Sequence, residues 1–522
     1  MPSGLRADDV KVVTRPSDHV DPFISTGGNH YVCGNNPPAA TVPFGMVRLG
    51  PDTISADGKT ALNMSGYYYH DPQIIGFSHT RLCGTGAIDG GHFRVFADRA
   101  DVSLAERRQQ LQAGFDHEHE TASPGFYSVE LPEFQVIAEM TATRRVGLHR
   151  YRFAAGKTPR ILIDVGSALG RGRSEACKVH VNSGHGEITG TARTFGSFSG
   201  RYGGLQVWFA AKFRQPWQTC SVWTDSLIEL DGSEAAGNDI GVACTFGEGE
   251  TIVELAVALS HVSIENAREN LNAEVGKRSF DEIHEAAVAE WNTLLSTVEI
   301  EGGTVTDQKI FYTALYHSCM MPTVFNDVNG QYLGFDKQTH QVEDFEYYTD
   351  MSLWDTFRTT HPLFTLLTPG RQRDMLVSLV KMAEQGGNLP CWPSGGGYTN
   401  SMFGSPADIV IADAWLKGIR DFDVETAYTM MRKTAMGPAP MGAAYSGREG
   451  IADYMKYGYC PSDTMSGAVA HTLEYATTDA AIGQLATALG KTDDAELFAR
   501  RGQNYRQLWN PETQYFQPRD TV

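Results

Sequence analysis

SFDEIHEAAVAEWNTLLSTV (Ser279–Val298) is where this chain changes period. Ile283, Ala287, Trp291, Leu294, Leu295 and Val298 recur at three- and four-residue spacing, which places them on one stripe of an amphipathic helix. Upstream the apolar spacing is two. GFYSVELP, FQVIAEMTATRRVGLHRYRF, RILIDVG and GGLQVWFAAKF alternate apolar and polar residues, are rich in β-branched and aromatic side chains, and are set apart by turn signals. Glycine is dense there, as in FGSFSGRYGG (Phe195–Gly204). Many short antiparallel strands between Asp21 and Val262 predict a large β-sandwich.

Downstream, after a short strand predicted at Val298–Thr304, helical patterns follow one another to the end. They are DQKIFYTALYHSCM, LWDTFRTTHPLFTLL, RQRDMLVSLVKMAEQG, SPADIVIADAWLKGIRD, VETAYTMMRKTAM, TMSGAVAHTLEYATTDAAIGQLATALG and DDAELFARRGQNYRQLWN. Roughly seven to eight helices of irregular sequence, paired by Gly-, Pro- and Asp-rich loops, suit a helical toroid better than a solenoid. The final NPETQYFQPRDTV reads as a turn and strand, with nothing to close the layer, so a truncated C-terminus is expected. The reading divides the chain into a sandwich (19–262), a helical linker (263–300) and a partial helical barrel (301–522).

At 522 residues the chain is too long for one core. A net charge of −19 argues against a nucleic-acid surface, which needs clustered Lys and Arg. No apolar run approaches ~18 residues, so no membrane span is predicted. MPSGLRADDVKVVTRPSDHV has no apolar h-region, so no signal peptide is read, which leaves a cytoplasmic location open. The eight cysteines are scattered and form no C-x-x-C pair; free or buried thiols are expected, with one disulfide if the protein is exported.

Several stock motifs are absent. GTGAIDGG (Gly84–Gly91) carries Asp89 where a dinucleotide fingerprint needs its third glycine. No P-loop, G-x-S-x-G elbow or H-E-x-x-H occurs. Asp327-Val328-Asn329-Gly330 imitates a calcium loop without its bidentate Glu and reads as a surface turn.

Two long loop segments, His19–Thr53 and Gly66–Gly91, offer Asn29, His79, Arg81 and Asp89 as polar candidates for a site. The competing reading is that His79 and Asp89 only tie the loops down. Trp354, Asp355 and Arg358 form a W-D-x-x-R set at a helix start: an acceptor and a planar fork of donors beside an aromatic face, suited to a polyhydroxylated ring. The bland alternative is an Asp favoured by the helix dipole and paired with Arg358 at i+3. Trp392, in a Gly/Pro-rich loop rather than an apolar stripe, is a candidate stacking platform, the alternative being a core residue. Glu474 and Asp479, on a helix of otherwise small residues, could face the toroid's interior, but are read as a solvated face or internal hydrogen-bonding groups. Between Trp392 and Pro406 there is no Asp or Glu.

VDPFISTGG, ATVPFGMVRLGPDT, GYYYHDPQIIGFSHTRLCGTG, TATRRVGLHRYRF, FYTALYHS, SLWDTFRTTHPLFTL, GGNLPCWP and TLEYATTDAAIGQLA lie in order from about residue 19 to 517. In these blocks the chain resembles glycoside hydrolase family 92, the calcium-dependent exo-acting α-mannosidases. The resemblance implies a β-sandwich, a helical linker and an (α/α)6 barrel. It also implies hydrolysis of terminal α-linked mannose with inversion, N-glycan processing, Ca2+ as cofactor, and a secreted or periplasmic location. By position, Trp354, Asp355 and Arg358 resemble sugar-contacting residues, and the loops Gly28–Cys33 and His79–Asp89 resemble the sandwich's share of the pocket.

Two departures bear on this. Family members acting on mannosides carry glutamates in a segment like W-E-L-x-x-N-E-T-N, where this chain has Trp392-Pro393-Ser394-Gly395-Gly396-Gly397-Tyr398-Thr399-Asn400. Pro393 and Tyr398 stand where Glu is expected, so the general acid is missing, and a phenol of pKa ~10 protonates an alkoxide poorly. A phosphate leaving group needs little protonation, which implies mannosyl phosphodiesters as substrates, the activity attributed to members lacking the acid. The family's general base and calcium-binding segments are expected beyond Val522, so these residues alone are expected to show little activity. The alternative reading is a non-catalytic carbohydrate-binding protein on the same fold.

Overall fold

The computed structural model describes residues 15–29, 33–58, 64–225 and 228–522. The period-two segments pair into two antiparallel sheets. One runs Gly50–Ile54, Gln73–Ser78, Arg94–Arg99, Pro159–Asp164, Gly241–Thr245, Thr219–Trp223, Ile228–Leu230, with Ala113–Gly114 added beside Gln73–Ser78. The other runs Glu234–Gly237, Arg173–Asn182, Glu187–Phe195, Leu205–Phe213, Ile252–Ser260, Val146–Phe153, Val136–Ala142, Phe126–Leu131, Glu120–Ser123.

Alternation explains the layering. Along Val136–Ala142, Val136, Ala138 and Met140 enter the core, while Ile137 is exposed and Glu139 reaches across to Arg150 on the neighbouring strand (2.7 Å). Phe77, Val95, Tyr151, Ile161, Phe209 and Val257 from the two sheets fill one core. Cys220 and Cys244 sit opposite each other on adjacent strands and form a disulfide.

The switch at Ser279 falls as its spacing predicts. Ser279 and Glu282 form a capping box that starts the helix Phe280–Leu295, preceded by the Ser263-capped helix Ile264–Glu274. We label these α2 and α1. Ile283, Ala287, Trp291, Leu294 and Leu295 are buried, and the Trp291 indole donates to Thr41 O (2.7 Å) on the sandwich. The strand expected at Val298–Thr304 is absent. Gly302 and Gly303 take φ of 84° and 71°, outside the extended region, and turn the chain into the Thr304 cap of the next helix.

Among the described residues nine helices follow: α3 (Val305–Ser318), α4 (Leu353–Thr356), α5 (Thr360–Leu367), α6 (Pro369–Gly386), α7 (Pro406–Leu416), α8 (Val424–Met436), α9 (Ile451–Tyr457), α10 (Ala468–Ala488) and α11 (Thr492–Arg501). LWDTFRTTHPLFTLL is two helices rather than one. Pro362 would clash with the Arg358 carbonyl in a continuous helix, so the chain breaks at Thr359 (φ 138°). The helix α9, bounded by left-handed Gly450 and Gly458, has no sequence signal strong enough to mark it.

Asp327 corrects a second expectation. It does belong to a turn, but it is 1% exposed rather than at the surface. It accepts from Ser260 Oγ, Asn266 Nδ2 and Asn270 Nδ2 at 2.6–2.8 Å, which joins the last sandwich strand to α1. A buried carboxylate is tolerable because its lone pairs are met.

Candidate functional site

The break before α5 leaves Trp354 and Asp355 on the one-turn helix α4, with Arg358 just past its end. The i+3 pairing of Asp355 with Arg358 does not form. Arg358 Nη2 instead donates to Glu474 Oε1 on α10 (2.7 Å), and the Trp354 indole donates to the same oxygen (3.1 Å). The guanidinium lies over the Trp354 ring, 4.3 Å from its centroid, and donates to the Trp354 carbonyl. Both donors meet one carboxylate oxygen, and 41% of the Arg358 side chain stays exposed. The cluster thus pairs a charged fork and a carboxylate with an aromatic face at the molecular surface.

Ser352 ties Asp355 to Trp392. The Trp392 indole donates to Ser352 Oγ (2.9 Å), and Ser352 donates to Asp355 Oδ2. Four of the residues expected to bind sugar, Trp354, Asp355, Arg358 and Trp392, therefore sit in one cluster, with Ser352 and Glu474 as links. Glu474 is an internal hydrogen-bonding group, one of the roles its sequence allows. Its pattern signal is weak because α10 is apolar or small nearly all round.

Trp392 is no open platform. It is 2% exposed, and its ring packs on Phe198 (4.6 Å between centroids), Leu82 and Ala87 of the sandwich loops. A Gly/Pro-rich local sequence suggests exposure; the other domain supplies the cover.

The hairpin that follows pairs Pro393–Ser394 with Gly397–Tyr398. Tyr398 is buried, and its hydroxyl donates to Asn388 O (2.6 Å). Burial raises the phenol's pKa further above its ordinary value, so it holds its proton in the interior. Asp350 accepts from Ser394 Oγ (3.1 Å) and Gly395 N (3.0 Å) and fixes the hairpin. The glycines are there for space: a Cβ on Gly395 would fall 2.8 Å from the Tyr202 hydroxyl, and one on Gly397 would strike the Tyr202 ring. Behind the hairpin a cavity of about 50 Å³ lies between the domains, lined by Arg48, Asp89, His92, His261, Asp350 and Ser394 among others. It has room for ordered water.

Residues 19–260 match the N-terminal domain of glycosyl hydrolase family 92, and residues 266–522 match its catalytic domain. The chain belongs to this family. A family GH92 α-mannosidase from Bacteroides thetaiotaomicron, solved also with mannoimidazole, has a TM-score of 0.88 at 32% identity, covering 97% of this chain and 68% of that one. A family GH92 inverting mannosidase from the same bacterium gives 0.87 at 26% identity, covering 98% and 67%. An uncharacterized secreted glycosidase of Arthroderma benhamiae is 24% identical over 558 residues; the chain covers 64% of that curated relative's length.

The remaining family 92 candidates lie away from the Trp354 cluster. His79 is fully buried; its Nδ1–H donates to Phe93 O (3.0 Å) and its Nε2 meets His149 Nε2 (3.0 Å). Desolvation lowers its pKa to about 4, so it is a neutral packing residue. Arg81 is buried and directs its donors to Asp52 and the carbonyls of Gly50, Pro51, Ser65 and Ser78. Asp89 accepts from Phe198 N, Ser199 N and Ser199 Oγ at 2.7–2.8 Å, and so reaches the cluster only through Phe198, which packs on Trp392. For His79 and Asp89 these contacts are loop-tying ones, and Asp89 also lines the cavity between the domains. Asn29 is exposed beside Gly28, and its carbonyl accepts from Cys33 N. Asp479 is fully buried between Arg448 (2.6 Å) and Arg501 (2.8 Å).

Among the described residues no group of three or more His, Cys, Asp or Glu side chains could hold a metal ion, so no residue here is assigned to calcium. No helix among them is long and apolar enough to cross a membrane.

Proposed function

We propose that this family 92 chain serves an exo-acting α-mannosidase that works with inversion and prefers mannosyl phosphodiesters to plain mannosides. The observation that carries the preference is the Trp392–Pro406 stretch: it holds no carboxylate, and its one phenol, Tyr398, is turned inward onto Asn388 O. An alkoxide leaving group needs a proton delivered as the glycosidic bond breaks. A phosphate departs as a stable anion, so the missing acid matters little there. Mannose as the bound sugar is supported by the α-mannosidase relatives, one of them solved with mannoimidazole, and inversion by the relative described as an inverting mannosidase.

In this reading Arg358 and Glu474 offer a donor fork and an acceptor to sugar hydroxyls, while the Trp354 face orients the ring. Water then attacks the anomeric carbon from the face opposite the departing phosphate. No general base is assigned among these residues.

The test is a panel of a mannosyl phosphodiester and α-1,2-mannobiose with anomer-resolved product analysis. Faster release from the phosphodiester, giving β-mannose first, is expected. Equal rates on both would overturn the leaving-group argument. A second reading, sugar binding without turnover, rests on the same acid-free hairpin. Since these residues alone are expected to show little activity, it is favoured by mannoimidazole binding with no product from either substrate even when the family's general-base segment is present.

A further inference from the structure

On the far side of the pocket loops, a buried carboxylate sits in an arrangement whose proton count is constrained. Glu120, its side chain wholly buried, accepts from Tyr67 Oη (3.0 Å) and Tyr127 Oη (2.7 Å). Its Oε2 also lies 2.6 Å from His117 Nδ1. The other ring nitrogen, His117 Nε2, lies 2.6 Å from the Tyr69 carbonyl. A carbonyl only accepts, so Nε2 carries a hydrogen. A neutral imidazole then has a bare lone pair at Nδ1, facing a carboxylate that also has none to donate. The contact closes only if one further proton lies between Nδ1 and Oε2, on the ring or on the acid.

That proton has structural leverage. His117 stacks on Tyr69 with centroids 3.7 Å apart and planes 7° apart. The Tyr69 amide donates to Thr26 O (3.0 Å), and Tyr68 Oη donates to Gly28 O (2.6 Å). Gly27 lies so close to Tyr69 that an added Cβ would fall 2.8 Å from the Tyr69 Cβ. The backbone of Thr26–Gly28, which leads into Asn29, therefore rests on Tyr68 and Tyr69, and these rest on His117.

We propose that the shared proton of the His117–Glu120 pair positions the Thr26–Asn29 loop, and that its loss as pH rises releases the loop. His117 and Glu120 are positioning residues, since neither touches the Trp354 cluster. The groups around the pair are the Tyr67 and Tyr127 hydroxyls, the Tyr69 ring, Asp71 and Arg81 acting on those tyrosines, and His70 against Tyr69. On its own turn Asp116 and His119 pair with each other at the surface (2.9 Å), and Glu118 is exposed. Burial raises the Glu120 carboxyl's pKa, which favours retention of the proton within the pair.

For catalysis the clamp matters through the mannosidase reading, because the loop belongs to the expected pocket; the clamp itself does not depend on that reading. Hydrogen exchange of peptides spanning residues 64–72 and 21–29, from about pH 6 to about pH 9 with intrinsic rates divided out, reads it directly. Protection of both segments is expected to fall roughly tenfold or more with rising pH, while the core strand Val146–Phe153 stays protected. Glu120→Gln supplies an amide N–H for Nδ1 with no titrating proton, so protection is expected to persist across the range. His117→Ala is expected to be unprotected at every pH. Flat protection in the unmodified protein would overturn the proposal, and so would His117→Ala as protected as the parent. In a turnover assay the same transition is expected in KM with kcat unchanged. Absence of turnover, which is expected of these residues alone, leaves the exchange result standing.

Discussion

The turn at Trp354–Arg358 and the hairpin at Trp392–Tyr398 lie against each other, joined through Ser352, yet they point their polar groups in opposite directions. On the turn, Arg358 and Glu474 meet near the surface with capacity left for a ligand. In the hairpin, Tyr398, Ser394 and Gly395 turn their hydrogen-bonding atoms inward, to Asn388 and Asp350. In the proposed function the difference separates holding a sugar from protonating its leaving group: the turn keeps polar groups near the surface for the first task, and the hairpin's polar groups are spent on packing.

The largest expected effect on this contrast comes from acid. Beside the cavity behind the hairpin, burial lowers the pKa of His261 to about 4 and of His92 to about 3, against an ordinary value near 6.5. It also lowers that of His79 within the sandwich to about 4, and that of His361 on α5, just past the Trp354 turn, to about 4. Between these limits the unfolded chain binds protons that the folded one refuses. Stability is therefore full above about pH 6.5 and falls by about 1.4 kcal/mol per pH unit for each such group as pH drops toward the folded values. Chemical denaturation at stepped pH, with exchange mapping, is expected to show this loss and, with two such groups beside the hairpin cavity against one on α5, to place the first opening at the hairpin side. First opening at the Trp354 turn would break the contrast.

Tyr398→Glu comes next. A new acid there would not reach a substrate, because the side chain points to the interior; it is expected to lose about 4 kcal/mol and to gain no mannobiose hydrolysis. Gained hydrolysis would mean that the hairpin can face the sugar. Arg358→Ala should do the reverse: mannoimidazole affinity, measured by calorimetry, falls roughly 10- to 100-fold, with stability changed by less than about 1 kcal/mol. Asp350→Asn is the mildest. The amide oxygen keeps an acceptor for Gly395 N or Ser394 Oγ, so a loss of about 1 kcal/mol, seen as faster exchange of the hairpin amides, sharpens the view that Asp350 only braces it.

Much of this architecture is legible in the amino-acid sequence. Alternation along Val136–Ala142 and the stripe on Ser279–Val298 are local patterns, and local patterns survive folding. Pro362 even announces the break that splits α4 from α5, although the apolar spacing of LWDTFRTTHPLFTLL reads as one helix. Contacts made at a distance are not legible. Glu474 lies 116 residues from Arg358, and nothing around it marks the partnership. Trp392 looks exposed because its own neighbours are Gly and Pro, while Phe198 and Leu82 bury it from the other domain. The His117–Glu120 pair carries no motif, and only the positions of Tyr67, Tyr69 and Tyr127 give it meaning.

Phe44 lies, in sequence, within the sandwich, yet it packs in the helical core beside Tyr348 and Phe364, and its backbone exchanges bonds with Cys319 and Val324. Nearby, Arg48 commits its guanidinium to Met320 O and Thr323 Oγ1. A cut made at the sequence boundary would strand a phenyl ring and a dehydrated cation on one piece and leave a hole in the other. For anyone trimming or grafting this protein, the two domains are a single inheritance: a sandwich transplanted without its helices would carry an open wound.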